Sequence, residues 1–207
     1  MAAPYTAMDG INEKGFSVAV LEIKSKATKQ STGKKPIITT VAIRAALDKC
    51  ETVEEAIELF ASYDMHDSLG INYHYQLADS YGSSAIIEYV DNKMYVIRQD
   101  EKKNLVLTNY FLTEGGDNHD GRGYDRYEHI ETTLNAKDGK LTENEAMKLL
   151  SECTLNYQHK TLKHQVITLW SAVYNCNEKS MLLCAGMDYS KKYKFYVDKP
   201  CQIFNAE

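Results

Sequence analysis

The 207-residue chain has three prolines, one tryptophan and eleven glycines. They are scattered, so no linker, repeat or low-complexity stretch divides it. Long apolar runs are as scarce. The longest, residues 181–187 (MLLCAGM), falls far short of the ~20 residues a helix needs to cross a bilayer. There is no excess of positive charge: 24 Lys+Arg against 29 Asp+Glu leave a formal net charge of −5. That balance argues against a nucleic-acid binder that works by neutralising phosphates. The five cysteines, at 50, 153, 176, 184 and 201, are odd in number and contain no C-x-x-C pair. They exclude a disulfide framework and read as small buried hydrophobes of a reducing compartment. Cys176 and Cys184 alone are spaced to meet across a hairpin. Residues 1–10 carry neither a basic nor an apolar leader, so the expectation is a cytoplasmic protein.

What is present is ordinary globular composition, 43% hydrophobic and 26% charged, enough to bury a core in one domain over residues 1–207. FSVAVLEI at 16–23 alternates loosely and predicts a strand. Residues 24–35, with five lysines, predict a solvated loop, or a lip over a pocket for a carboxylate-bearing ligand. From Thr39 the apolar spacing becomes helical through Cys50. Thr52-Val53-Glu54-Glu55 and Thr142-Glu143-Asn144-Glu145 are capping boxes that open helices reaching Phe60 and residue 151. A further amphipathic stretch covers 124–135. Strands are predicted at 73–79, 84–89, 94–98, 105–109, 167–174, 180–185 and 192–197, several joined by hairpin-length turns. Helices in blocks between hairpin-connected strands mean an α+β protein with antiparallel sheets.

Familiar cofactor signals are missing. There is no P-loop, no strand-bound G-x-G-x-x-G, no H-E-x-x-H and no G-x-S-x-G. Gly115-Gly116-Asp117-Asn118-His119-Asp120 resembles a metal loop only superficially, because EF-hand spacing is lacking. His159 and His164 stand five apart, the wrong spacing for one helical face. A more specific set remains. Asp9-Gly10-Ile11-Asn12-Glu13-Lys14-Gly15 opens the first strand and Glu22 lies near its end. Leu107-Thr108-Asn109 ends another strand with a carboxamide, and Gly123-Tyr124-Asp125-Arg126 begins a helix with an arginine in its first turn.

The ordered series DGINEKGFSVAVLEI, TTVAIRAALDKCETVEEAIELFASYDMH, YHYQLADSYGSSAIIEYVDNKMYVI, LVLTNYF, GYDRYEHI and TLWSAVYN closely resembles the choloylglycine hydrolase family of linear amide C–N hydrolases. That family includes bile salt hydrolases, penicillin V acylases and the acid amidases of N-acylethanolamines and ceramides. The likeness runs from Asp9 to about Val197, and D-G-[IM]-N-E-K-G with the L-T-N strand end makes it specific. It implies a four-layer αββα sandwich, a small-molecule amide substrate and no cofactor. It also implies an N-terminal cysteine whose thiolate attacks the amide carbonyl while its own α-amine serves as base. By position in the motifs, Asn109 is implied as an oxyanion donor and Arg126 as the fixed charge that favours thiolate. Glu22 falls where bile salt hydrolases carry asparagine and acid amidases glutamate, which leans towards acid-amidase-like substrates.

One departure stands out. In the family the nucleophile, with an arginine and an aspartate behind it, lies well upstream of D-G-[IM]-N-E-K-G. Here eight residues precede Asp9 and none is cysteine. The expectation is therefore an N-terminally truncated amidase, its C-terminal two-thirds, inactive alone and prone to pair with itself or a complementary chain. The alternatives are a non-catalytic ligand-binding or scaffold protein, and one chain of a two-chain amidase.

Overall fold

The structure, a computed structural model, describes residues 6–98, 104–118, 122–159, 163–199 and 202–205. Residues 1–5, His119, Asp120 and Cys201 lie outside the described residues. The chain opens with β1 (Asp9–Ile11), β2 (Ser17–Lys26) and β3 (Pro36–Ile38), then α1 (Thr39–Lys49) and α2 (Val53–Ala61). β4 (Asp64–His66), β5 (Ile71–Ala78), β6 (Ser84–Val90) and β7 (Lys93–Arg98) follow. Next come α3 (Tyr124–Ala136), α4 (Glu143–Glu152), β8 (Asn156–Gln158) and β9 (Gln165–Ile167). β10 (Trp170–Asn175), β11 (Ser180–Ala185), β12 (Lys191–Tyr196) and β13 (Gln202–Asn205) complete the order. Two antiparallel sheets dominate, β1-β2-β5-β6-β7 and β10-β11-β12-β13. No helix among the described residues is long and apolar enough to cross a membrane.

Alternation decides the layers. One face of the first sheet presents Val18, Tyr75, Leu77, Ile87 and Tyr89 to α1 and α2, where Ile43, Ala46, Ala56 and Phe60 complete the main core. Phe60 and Tyr75 meet edge to face at 4.8 Å. The opposite face turns towards the second sheet, whose far side is covered by α4 through Met147, Leu182 and Cys184. The result is the four-layer αββα order. Both capping boxes form, Thr52 with Glu55 and Thr142 with Glu145, each worth about 1 kcal/mol to its helix. Asp79, buried at the end of β5, accepts the Tyr81 and Ser83 amides of the hairpin turn on one oxygen. Its other oxygen accepts the Val53 amide at the start of α2, at 2.9 Å. Asp91 and Asn92 both take positive φ, the two-residue turn that suits a right-twisted hairpin.

Several local expectations differ from the structure. Residues 105–109 do not form a strand. Gln76 reaches up from β5 instead, its side-chain amide donating to the Leu105 carbonyl at 3.1 Å. The expected strand at 167–174 is two strands. At Thr168 the chain leaves β8 for β11, with Leu155 exchanging bonds with the Thr168 amide and hydroxyl. The lysine-rich segment is only partly a loop, and residues 25–28 line a cavity of about 150 Å³ with Asn72, Tyr89 and Phe111. β2 runs on to Lys26, and the amides of Thr28, Lys29 and Thr32 then donate to Asp67, Asn92 and Asp64. Cys176 and Cys184 do not face each other either. Cys184 pairs with Ser171, while Cys176 sits in the turn beyond Asn175↔Ser180, and both thiols are free.

Candidate active site

The D-G-I-N-E-K-G motif proves to be a joint. The Asn12 side-chain amide donates to the carbonyls of Leu47 and Cys50, at 3.0 and 2.7 Å, where α1 ends. Its oxygen accepts the amides of Lys14 and Phe16, both at 3.0 Å. At Gly15 any Cβ would stand 2.3 Å from the Cys176 carbonyl oxygen, so only glycine allows the two sheets to approach there. Asp9 faces the second sheet and accepts the Trp170 indole N–H at 3.1 Å. Burial, with the Asp9 charge behind it, raises the neighbouring Tyr174 phenol.

Three sequence-predicted residues converge beside this joint. Arg126, in the first turn of α3, donates from Nη2 to Asn109 Oδ1 at 2.9 Å. Asn109 Nδ2 in turn donates to the Glu22 backbone carbonyl at 2.8 Å. An amide nitrogen carries two hydrogens, so one remains to meet a ligand. Glu22 takes part differently from the expectation. Its link to Asn109 is a main-chain carbonyl, and its half-exposed carboxylate pairs with Arg122 at 3.2 Å. An exposed ion pair of that kind contributes little stability.

Two positions that sequence reasoning missed hold the Asn109–Arg126 pair together. The buried Thr108 hydroxyl donates to the Gly123 carbonyl at 3.0 Å. Gly123 caps α3 at φ +86°, and a Cβ there would stand 2.9 Å from Thr108 Oγ1, 3.0 Å from the Asn109 amide nitrogen and 3.1 Å from Arg126 Nη2. The only signal was the glycine that opens the G-Y-D-R segment. Tyr110, next in sequence to Asn109, packs edge to face on Tyr124 and Tyr127 at 4.2 and 5.5 Å. Burial pushes its phenol up, so it stays a neutral donor.

A cavity of about 310 Å³ opens beside Arg126, lined by Leu21, Thr108, Cys153 and Trp170 among others. It shares Asp9 and Trp170 with a larger apolar cavity of about 540 Å³ between β1 and the second sheet. Burial raises the Cys153 thiol and the nearby Arg126 charge only partly opposes it, so this cysteine is not primed as a thiolate. Among the described residues no three His, Cys, Asp or Glu side chains converge to hold a metal. Asn118, in the loop that looked like a metal site, instead brackets the Phe111 backbone, both bonds 2.8 Å. His159 and His164 stack with ring centres 5.4 Å apart on the β8–β9 hairpin.

The model of the acyl-coenzyme A:6-aminopenicillanic acid acyl-transferase family matches residues 2–189. The chain belongs to this family. Penicillin V acylase of Pectobacterium atrosepticum is 34% identical over 113 residues, 49% of this chain and 29% of that protein. The match thus spans under a third of that relative's length. Among solved structures, a variant of conjugated bile acid hydrolase from Clostridium perfringens superposes with a TM-score of 0.67 at 14% identity. It covers 97% of this chain and 78% of that one. Penicillin V acylase from Agrobacterium tumefaciens gives 0.65 at 19% identity, covering 98% and 78%. At these identities the superpositions establish the fold, an α+β sandwich of antiparallel sheets, and membership of the acyl-transferase family bears out the resemblance read from D-G-I-N-E-K-G and L-T-N.

Proposed function

We propose that the chain carries the oxyanion-stabilising and charge-positioning part of an amide C–N hydrolase for small molecules of the bile-salt, penicillin V or N-acylethanolamine type. In this reading Asn109 presents its remaining amide hydrogen to the oxyanion, and Arg126 holds that amide and supplies the nearby positive charge. The Glu22 carbonyl fixes the amide's other end. A donor aimed in advance at the developing charge is typically worth ~100- to 1000-fold in rate. The observation that carries the reading is the Arg126–Asn109–Glu22 chain of bonds, which joins positions 22, 109 and 126, with Arg126 lining the cavity. Residues 1–207 act in it as one domain, the C-terminal two-thirds of the amidase. The nucleophile reaches the cluster from outside the described residues, on a longer form of the chain or on a complementary chain. Cys153 is a poor stand-in for it, since burial raises its thiol above the ordinary range.

The test combines turnover and calorimetric binding on one panel: a glycine-conjugated bile salt, penicillin V and an N-acylethanolamine. The expected result is binding of at least one amide without turnover by this chain. Arg126→Ala should abolish that binding and Asn109→Ala weaken it. Turnover by the 207-residue chain itself would refute the external nucleophile. Absence of both binding and turnover would overturn the amidase reading altogether.

A further inference from the structure

Asn109 sits on a segment without a strand ladder, so something else must fix its backbone. The polar groups on either side of it are met by side chains. Gln76 donates to the Leu105 carbonyl, the Thr108 hydroxyl to the Gly123 carbonyl, and Asn118 holds both backbone groups of Phe111. The next two amides go to a single acid. Leu112 N–H donates to Glu88 Oε1 at 3.0 Å and Thr113 N–H to Glu88 Oε2 at 2.8 Å. Glu88 lies on the inner face of β6, fully buried, and its third donor is the equally buried His74 Nδ1 at 3.0 Å from β5. His74 Nε2 finds no partner among the described residues. A carboxylate can only accept, so a proton sits on Nδ1.

A buried carboxylate–imidazole pair is an expensive way to fill a core, where two apolar side chains of similar volume would cost less. Its use lies in what it grips. We infer that Glu88, oriented by His74, is a positioning residue: it clamps the backbone of Leu112 and Thr113 and so sets where the Asn109 amide points. The inference rests on the reading of Asn109 as an oxyanion donor, whose placement must hold to within about 0.5 Å to be useful. Phe111, packed on Ile23 and Val90 between the two gripped stretches, transmits the constraint from the acid to the carboxamide.

The experiment is NMR on the full chain carrying Glu88→Gln, following amide exchange and the Asn109 side-chain resonances. Gln cannot accept at the atom that becomes NH2, so either Thr113 N–H or both Leu112 N–H and His74 Nδ1 lose their acceptor. Exchange at Leu112 or Thr113, whichever amide loses its acceptor, should accelerate roughly 10- to 100-fold, as for a lost bond to a charged acceptor. Ladder amides of β2, β5 and β6 should change much less, and the Asn109 side-chain resonances should shift. Equal acceleration of the ladder amides would mean that Glu88 only stabilises the fold, and unmoved Asn109 resonances would sink the positioning role. Arg126→Ala separates the two claims. It should shift the Asn109 side chain while sparing Leu112 and Thr113. If it does not shift Asn109, the Asn109–Arg126 site is wrong, whereas the clamp is still decided by Glu88→Gln. If Glu88→Gln does not fold, couplings across the hydrogen bonds from Leu112 and Thr113 to the Glu88 carboxylate carbon in the unaltered chain decide. Their presence upholds the clamp and their absence overturns it.

Discussion

Gly123→Ala is the sharpest probe of how the candidate site is assembled. The substitution acts twice. At φ +86° an alanine must hold a left-handed backbone, which costs roughly 1–2 kcal/mol. Its Cβ would also press within 2.9–3.1 Å of Thr108 Oγ1, the Asn109 amide nitrogen and Arg126 Nη2. Two of these contacts belong to a packed segment that yields little, and overpacking of this kind costs about 1–3 kcal/mol. The expected loss is therefore about 2–5 kcal/mol, or about 5–15 °C in melting temperature for a chain of this length. Gly33→Ala supplies the control. That glycine has φ +93° with nothing near its missing Cβ, so it bears the backbone cost alone. Denaturant titration of both variants, with the Asn109 side-chain resonances as a local reporter, separates strain from crowding. If the two variants lose the same stability and Asn109 stays where it was, the tight packing of Gly123 against the site is refuted.

Asn12→Ala should cost about 2–4 kcal/mol in a urea melt, because it frees two carbonyls at the end of α1 and two turn amides at once. A loss under 1 kcal/mol would mean the joint is held by other contacts. For Glu88 the prediction concerns pH. Burial alone would raise its pKa, but the bonds from His74, Thr113 and Leu112 outweigh it and hold the carboxyl below its ordinary value. A folded pKa below the unfolded one stabilises the native state above about pH 4.3, and that stability is lost as the pH falls through the folded value. Stability curves taken from pH 6 down to pH 2.5 should thus lose part of their acid limb in Glu88→Gln, and an unchanged limb would contradict the assignment.

Much of this architecture was legible in the residues, and the reasons are local. Thr52 with Glu55 and Thr142 with Glu145 announce helix starts because the capping bonds span three residues. Asp91-Asn92 announces its turn because few residue types tolerate positive φ in succession. Segment 105–109 misled for the same reason. Its apolar alternation suits a strand, yet whether a ladder partner exists is settled by its neighbours in space and not by its own sequence. The site was half visible. Asn109 and Arg126 could be picked out by their motifs and do meet, whereas the bond that ties Glu22 to Asn109 runs through a backbone carbonyl that any residue provides. Thr108, Gly123, Glu88 and His74 act through contacts distant in sequence, and periodicity carries no trace of those.

Asp79 links two elements that are usually thought of separately. One carboxylate closes the β5–β6 turn and anchors the first amide of α2, 26 residues earlier. Neither the helix start nor the hairpin is fully satisfied until the other is in place, so the two should gain and lose order as one cooperative unit. The loop between them is short, and closing it costs only a few kcal/mol of chain entropy. That makes the β5–β6 hairpin with α2 the natural nucleus on which the more distant strands of the sandwich assemble.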